Sequence, residues 1–414
     1  MHDTICFDEC PARQDHGRSS VGGNGKLKVL MLGRFDGEGG IERHVRTLSR
    51  AIQDSGCAQV VNLVANDAPR TDRHTHYGYP TIRAACWGRV ASTAVAPTLP
   101  LLARQLHAEH RFDIVHLHFP DPLSHLAAAL LPARVKTVVT WHSDIIRQKL
   151  ALALYRPLLR RFVRSVDAVI VAAPFGCFGP DLNECRTARQ RRAVVPFGLE
   201  PAQLTWAPES VERLAELRRR RGGRPALFAL GRHVYYKGFD VLIDTMRLID
   251  ALLWLGGSGP LTEALKARAR AAGLADRVEF VGRIPDKELV AYYEACDVFV
   301  LPSTARAEAF GLVQLEAMWC ARPVVATRLG TGVEFVNRDG ETGLLVPPGD
   351  ASALAGALNR LLGDAQLRER LGRAGRARVE RECSIAAMRD RTLAVYREVL
   401  APGAAPLPDW MVRG

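Results

Sequence analysis

The chain has 414 residues, 48% of them hydrophobic, with 56 basic against 44 acidic side chains and a formal charge of +12. That length exceeds one typical domain and supplies apolar residues for two cores, which excludes a largely disordered protein. The positive balance favours an anionic partner, whether phosphate, lipid headgroup or nucleic acid, without choosing among them.

Residues 1–25 show little periodicity and end in a glycine-rich run, so a disordered extension is expected there. Residues 28–33 read as a buried strand, 34–40 as a glycine-rich loop, and Ile41, Val45, Leu48 and Ile52 as the apolar stripe of the next helix. Beyond a polar stretch come a strand over 112–118, an alanine-rich helix after Asp121 and Pro122, and a strand over 135–141. A long basic helical segment and strands over 168–172 and 193–199 follow, and Pro196, Gly198, Pro201 and Pro208 mark a linker. A second series of strands lies at 225–231, 252–256, 277–282, 297–301, 323–327 and 343–346, with helical stretches between them. Alternating strands and helices give parallel sheets. The expected fold is therefore α/β, with two Rossmann-like doubly wound domains over 26–199 and 200–385. A helical segment and tail, 386–414, is able to cross back to the first. A ligand would sit in the crevice between the carboxyl edges of the two sheets.

Nine cysteines are scattered without a CxxC pair, which argues for reduced thiols. No stretch approaches the roughly 18 consecutive apolar residues of a membrane span, and the start of the chain lacks a signal-peptide core. A cytoplasmic protein is predicted, peripheral at the inner face of the cell membrane.

Glu308 and Glu316 are the most informative pair. A helix starting near Gly311 puts Leu312, Leu315, Glu316 and Trp319 on one stripe, so Glu316 interrupts an apolar face and needs a partner there. Glu308 precedes that helix at the end of a strand. Gly311 lets a ligand approach the backbone, and the amides of Ala309, Phe310, Gly311 and Leu312 suit an anion. The alternative is that one glutamate caps the helix or pairs with an arginine.

Residues 231–238 follow the first strand of the second domain and carry Arg232 and Lys237. A fork of donors and a point charge at a strand end suit a diphosphate. The segment is not a P-loop, and both residues can also be read as solvated surface charges. Gly37, Gly39 and Gly40 offer a loop able to approach a phosphate from the opposite domain, or merely a tight βα turn. His142 follows a strand end and projects toward the crevice, although lone histidines are more often structural. His116 and His118 alternate along a strand and point the same way, but no further metal ligand can be identified from the sequence. No Asp-x-Asp motif occurs, which argues against a divalent metal on a nucleotide diphosphate, so neither metal nor cofactor is expected.

Arg147, Lys149, Arg156, Arg160, Arg161 and Arg164 lie in one segment with many apolar residues. It is either an interfacial helix facing anionic lipid or a core-packed helix with a solvated basic face. Nucleic acid is disfavoured, since no recognised binding motif accompanies these charges.

Together these motifs, with Glu42 beside Gly39 and Gly40 and the run over 339–349, make the chain resemble the retaining glycosyltransferases of the GT-B fold, family 4, from about Leu27 to about residue 390. The resemblance implies that Arg232 and Lys237 hold the diphosphate of a nucleotide sugar and stabilise the leaving group. It implies that Glu308 and the amides of 309–311 bind sugar hydroxyls, that Glu316 binds the ribose, and that His142 lines the sugar and acceptor side. Gly39 and Gly40 would close on the phosphates when the domains rotate together. It further implies a front-face mechanism without an obligatory protein nucleophile, unlike the two-carboxylate logic of glycosidases. The runs over 141–149 and 234–239 are similar to transferases that build bacterial exopolysaccharide or O-antigen units on polyprenyl diphosphate carriers. A mannosyl donor rests on family likeness alone. Two other readings stay open: a soluble transferase or phosphorylase acting on small sugars, and a non-catalytic scaffold with the same fold.

Overall fold

A computed structural model of the chain describes residues 26–401, apart from 38, 91–92, 146–148, 201–203 and 205, and leaves the side chains of 149–151 undescribed. The extension over 1–25 and the tail beyond 401 lie outside the described residues.

The first domain opens with β1 (Leu27–Phe35), α1 (Gly40–Asp54) and β2 (Ala58–Ala65), then the short strands β3 (Asp72–His74), β4 (Thr81–Ala84), β5 (Arg89–Val90) and β6 (Thr93–Ala94). It continues through α2 (Leu99–His110), β7 (Ile114–Phe119), α3 (Pro122–Ala129), β8 (Lys136–Trp141), α4 (Lys149–Ser165), β9 (Ala168–Val171), α5 (Pro180–Asn183) and β10 (Arg191–Val194). Eight of these strands form one sheet in the order β10-β9-β8-β7-β1-β2-β4-β3, parallel except for the β3–β4 pair. The stretch after α1 that reads as polar in the sequence therefore contains β2, with seven of its eight residues buried, and the edge strands β3 and β4.

The second domain contains α6 (Pro208–Arg221), β11 (Ala226–Leu230), α7 (Phe239–Thr245), β12 (Leu252–Gly256), α8 (Thr262–Ala271), β13 (Val278–Gly282), α9 (Asp286–Ala295) and β14 (Val298–Leu301). After these come α10 (Val313–Trp319), β15 (Val324–Thr327), α11 (Gly332–Val336), β16 (Gly343–Val346), α12 (Ala351–Gly363) and α13 (Ala365–Glu382). Its sheet is wholly parallel, in the order β13-β12-β11-β14-β15-β16. Both domains are Rossmann-like.

The last helix, α14 (Ile385–Leu400), leaves the second domain and packs on the first. Met388, Leu393, Val395, Tyr396 and Val399 share a core with Val29, Met31, Val45, Leu48, Ile114 and Val138, behind the first sheet. Tyr396 is fully buried, and its hydroxyl meets Nδ1 of His116 at 2.6 Å. The two crossings between domains lie side by side, because the Leu199 amide donates to the Cys383 carbonyl at 2.8 Å.

Strand order reverses between β1 and β7 in the first sheet, and between β11 and β14 in the second. At such a reversal the loops at the carboxyl ends of two neighbouring strands diverge and open a crevice. The four loops that carry the sequence candidates leave these four strands or the adjoining β8.

Candidate active site

Lys237 and Glu308 leave the ends of neighbouring strands, β11 and β14, and meet. Lys237 Nζ lies 2.6 Å from Glu308 Oε2, with the two side chains 11% and 10% exposed. Ser303 donates to the same carboxylate oxygen at 2.9 Å. The loop between them is folded tightly: Gly238 has φ +64°, and a Cβ there would lie 2.0 Å from the Pro302 carbonyl, so only glycine lets the β11 loop pass under the β14 loop. Arg232 stands exposed on the same loop, its guanidinium without a hydrogen bond or ion pair among the described residues.

The 308–312 segment is held from behind. Thr331 donates to the Glu308 carbonyl at 2.9 Å, and the Gly332 amide donates to the Ala309 carbonyl at 2.8 Å. Gly311 has φ +71°, and a side chain on it would strike Gln314 and Leu301 at 2.7 Å. The helix opens at Val313, two residues after the expected start, with Leu315 and Glu316 buried and Leu312 and Trp319 half-buried. Glu316 has its partner inside the protein: the Tyr293 hydroxyl of α9 donates to Oε2 at 2.6 Å. Burial pushes the Glu316 carboxyl up, and the Tyr293 hydrogen bond partly offsets this. The carboxylate nonetheless lines an open cavity together with Gly40, Arg43, His44, Thr47, Phe197 and Leu312.

That cavity lies between the domains. A Cβ on Gly40 would stand 3.9 Å from Leu312 Cδ1, which places the start of α1 against the 308–312 segment. Gly39 precedes it as the helix cap and is closed over by Glu42, itself paired with Arg34 at 3.1 Å. Arg43 of α1 reaches Asp286 at the start of α9, 3.8 Å away, and Arg306 of the second domain donates to the Cys177 carbonyl of the first at 2.7 Å. The glycine loop, the Lys237 loop and the Glu308 loop thus share one crevice.

His142, after β8, is 7% exposed and sits at the first domain's wall. Its ring stacks on Phe197 at 5.3 Å, and Phe197 in turn meets Phe310 at 4.9 Å, so an aromatic bridge joins the histidine to the Glu308 loop. His142 Nε2 faces His118 Nδ1 at 3.0 Å, and His118 Nε2 approaches Met31 Sδ at 3.1 Å. His116 and His118 do lie on one face of β7, with rings 4.7 Å apart, but they part ways: His116 bonds Tyr396 and Thr140. His44 joins instead, and its ring nitrogens, with those of His118 and His142, provide three ligand atoms within 4.8 Å of one another. The fold thus supplies the further ligand atom that the sequence alone does not identify. His44 sits inside the α1 apolar stripe, beside Val45 and Leu48. A polar residue on that stripe was the signal available.

Arg147 lies outside the described residues, and of Lys149 only the backbone is described. Arg156 and Arg160 of α4 are tied to Asp181 of α5 at 3.0 and 3.1 Å, and Arg160 also reaches Glu184 at 3.2 Å. Arg161 and Arg164 are exposed on the same helix, as are Leu154 (88%) and Leu158 (60%). The basic segment is therefore split between an ion-paired flank and an outer face of mixed apolar and cationic residues. Among the described residues no helix is long and apolar enough to cross a membrane.

Residues 38–203 match the model of Glycosyltransferase Family 4, and residues 212–378 that of Glycosyl transferases group 1. The chain is 34% identical over 359 residues to D-rhamnosyltransferase WbpZ of Pseudomonas aeruginosa, covering 87% of each chain. It belongs to the family 4 glycosyltransferases. It is also 31% identical to O-antigen chain mannosyltransferase C of Escherichia coli over 365 residues, which cover 88% of this chain and 96% of that one. Among solved structures, sucrose-phosphate synthase from Thermosynechococcus elongatus superimposes with a TM-score of 0.72 at 25% identity, over 90% of this chain and 99% of that one. The family 4 fold is GT-B, two Rossmann-like domains facing one another, and the crevice described above is where those domains meet.

Proposed function

We propose that this glycosyltransferase is a retaining hexosyltransferase that takes its sugar from a nucleotide diphosphate donor. The acceptor is a glycan on a polyprenyl diphosphate or other lipid carrier. The observation that carries the reading is the Lys237–Glu308 pair, a buried cation and anion presented together at the switch point of the second sheet, opposite the glycine loop of the first. In the resting protein each neutralises the other. A bound donor supplies replacements for both, a diphosphate for Lys237 and sugar hydroxyls for Glu308, and Arg232 is exposed beside them to take a second phosphate oxygen.

Glu316 keeps one oxygen on Tyr293 and lines the cavity, which suits a carboxylate accepting from ribose hydroxyls. Gly40 and Leu312 line the same cavity, and the backbone of Ala309, Phe310, Gly311 and Leu312 would bound the donor space. Glu308, engaged by Lys237 and Ser303, serves as a sugar ligand, and the departing phosphate takes the acceptor's proton. No metal is required to bridge the diphosphate, since two cations already stand at its place and no Asp-x-Asp pair occurs in the sequence.

The hexose is mannose or a close relative. This is supported by the names of the relatives, a D-rhamnosyltransferase and an O-antigen chain mannosyltransferase, and by the phosphatidyl-myo-inositol mannosyltransferase of Mycobacterium leprae at 30% identity. A lipid-linked acceptor fits the outer face of α4, where Leu154 and Leu158 stand among Arg161 and Arg164. Each well-placed cation is worth about 1 kcal/mol at an anionic surface. The enzyme would then work peripherally at the cytoplasmic face of the membrane.

A thermal-shift screen of nucleotide sugars tests the donor, because a ligand of the native state raises stability with the logarithm of its concentration over Kd. Guanosine diphosphate sugars are expected to give the largest shift. Release of nucleoside diphosphate on adding lipid-linked acceptor would separate a transferase from a scaffold, and no release with any acceptor would overturn the reading.

A further inference from the structure

Three imidazoles from three different elements converge at the first domain's wall. His44 comes from α1, His118 from the end of β7 and His142 from just after β8. Their ring centroids form a nearly equilateral triangle, with His44–His118 at 5.5 Å, His44–His142 at 5.0 Å and His118–His142 at 5.3 Å. All three are more than nine-tenths buried. A hydrogen bond between His118 and His142 accounts for two of the facing nitrogens at 3.0 Å. It does not account for His44, whose Nε2 is buried without any hydrogen-bond partner. An unpartnered buried nitrogen beside two others is a costly arrangement for a merely packed ring.

We propose that His44, His118 and His142 form a three-histidine site for a transition-metal ion of the zinc class. Neutral imidazole is the ligand such ions prefer, and three histidines with an open fourth position make a recognised donor set. Tetrahedral ligands at the usual zinc–nitrogen length stand about 3.4 Å apart. One pair here is already at 3.0 Å, and every pair of ligand atoms is within 4.8 Å, so closing on an ion needs only side-chain adjustment. Burial holds all three rings in the neutral, ligand-competent form, with His44 pushed down to about 3 and the other two well below the usual histidine range. Arg34, whose charge acts on His142, is paired with Glu42 at 3.1 Å. The interdomain cavity that His44 lines gives an ion its way in. Once bound, the ion would pin α1, β7 and β8 together, clamping the wall against which the second domain closes. It would lie on the first domain's side of the crevice, and has no part in bridging a diphosphate.

The test uses the full chain, stripped with chelator and titrated with Co²⁺, whose visible absorption reports the ligand set. One equivalent is expected to give the bands of a nitrogen-ligated tetrahedral or five-coordinate ion, without the thiolate charge-transfer absorption that capture by cysteines would bring. Zn²⁺ should bleach those bands and raise the melting temperature of the wild-type protein. His118→Phe and, separately, His44→Gln should each weaken binding by at least about tenfold, the lower end of what disturbing a metal's surroundings does. Near-UV circular dichroism shows whether each variant keeps its fold. The proposal is overturned by the lack of visible bands in excess Co²⁺, by thiolate bands in place of nitrogen ones, by unchanged binding in both folded variants, or by a wild-type melting temperature indifferent to Zn²⁺.

Discussion

Lys237 and Glu308, 71 positions apart in the chain, form a 2.6 Å ion pair across the ends of two adjacent parallel strands. Removing one member leaves the other buried and uncompensated, which costs about 3–5 kcal/mol. Lys237→Ala is therefore expected to lower the melting temperature and to reduce transfer by at least about a hundredfold, since both the leaving-group contact and the geometry of Glu308 are lost. Glu308→Gln keeps the shape and an acceptor for Ser303 but leaves the buried Lys237 without a counter-charge, so it too should lower the melting temperature while losing transfer. Wild-type turnover in both variants would sink the proposed chemistry.

Tyr293 supplies the hydrogen bond that makes Glu316 tolerable inside α10. Tyr293→Phe should destabilise by about 1–3 kcal/mol, because a buried acceptor loses its donor. Adding Glu316→Gln should recover part of that loss, and chemical denaturation of the two single variants and the double variant gives the coupling directly. A raised KM for the donor in the double variant, beyond that of Tyr293→Phe, would locate Glu316 in the donor site.

Acid should weaken the first domain through His125. The ring is buried, stacks on Phe162 at 3.9 Å and bonds the Tyr155 hydroxyl, and burial pushes its pKa down to about 3. The unfolded chain binds this proton near pH 6.5 and the native protein does not, so stability is full above about 6.5 and falls as pH drops toward 3. The slope from this one group is about 1.4 kcal/mol per pH unit. Urea titrations of His125→Phe between pH 6.5 and 4.5 should show a slope shallower by that amount, and parallel curves would refute the assignment.

Flotation with anionic vesicles should separate the two halves of the basic segment. Charge reversal at Arg161 and Arg164, which are exposed on α4 without an ion pair among the described residues, is expected to release the protein. Neutralising Arg156 should do little to vesicle binding, because its charge is already met by Asp181. Leu154→Ser with Leu158→Ser should weaken binding at high salt, where the electrostatic part is screened. Equal binding by all variants would mean that α4 is only a solvated helix.

The strands of both sheets that carry the site were legible because buried parallel strands are short apolar runs followed by loop residues. β2 is hard to read because the run over 58–65 is buried almost throughout, without polar alternation, and sits between Cys57 and a long polar connection. β3 is polar and exists only because β4 offers it an edge. For the site, residues at strand ends could be listed from the sequence, but their pairings could not. Nothing in the spacing of Tyr293 and Glu316 says that α9 and α10 bring them to 2.6 Å. Likewise Asp181 and Glu184 decide which arginines of α4 remain available, and only the packing of α5 on α4 reveals it. His44 shows the opposite case, in which the sequence did carry a mark, a polar residue on an apolar helix stripe, and the mark was legible once its neighbours were in place.

The return of α14 has a consequence for how the protein comes into being. Tyr396, Leu393 and Met388 complete the back layer of the sheet that Val29 begins, so the first domain lacks a wall until α14, which follows the whole second domain, leaves the ribosome. The second domain has no such debt, and its core can close as soon as α13 emerges. The order of translation and the order of completion are thus reversed, and a nascent chain halted at residue 384 would hold a finished second half attached to an unfinished first.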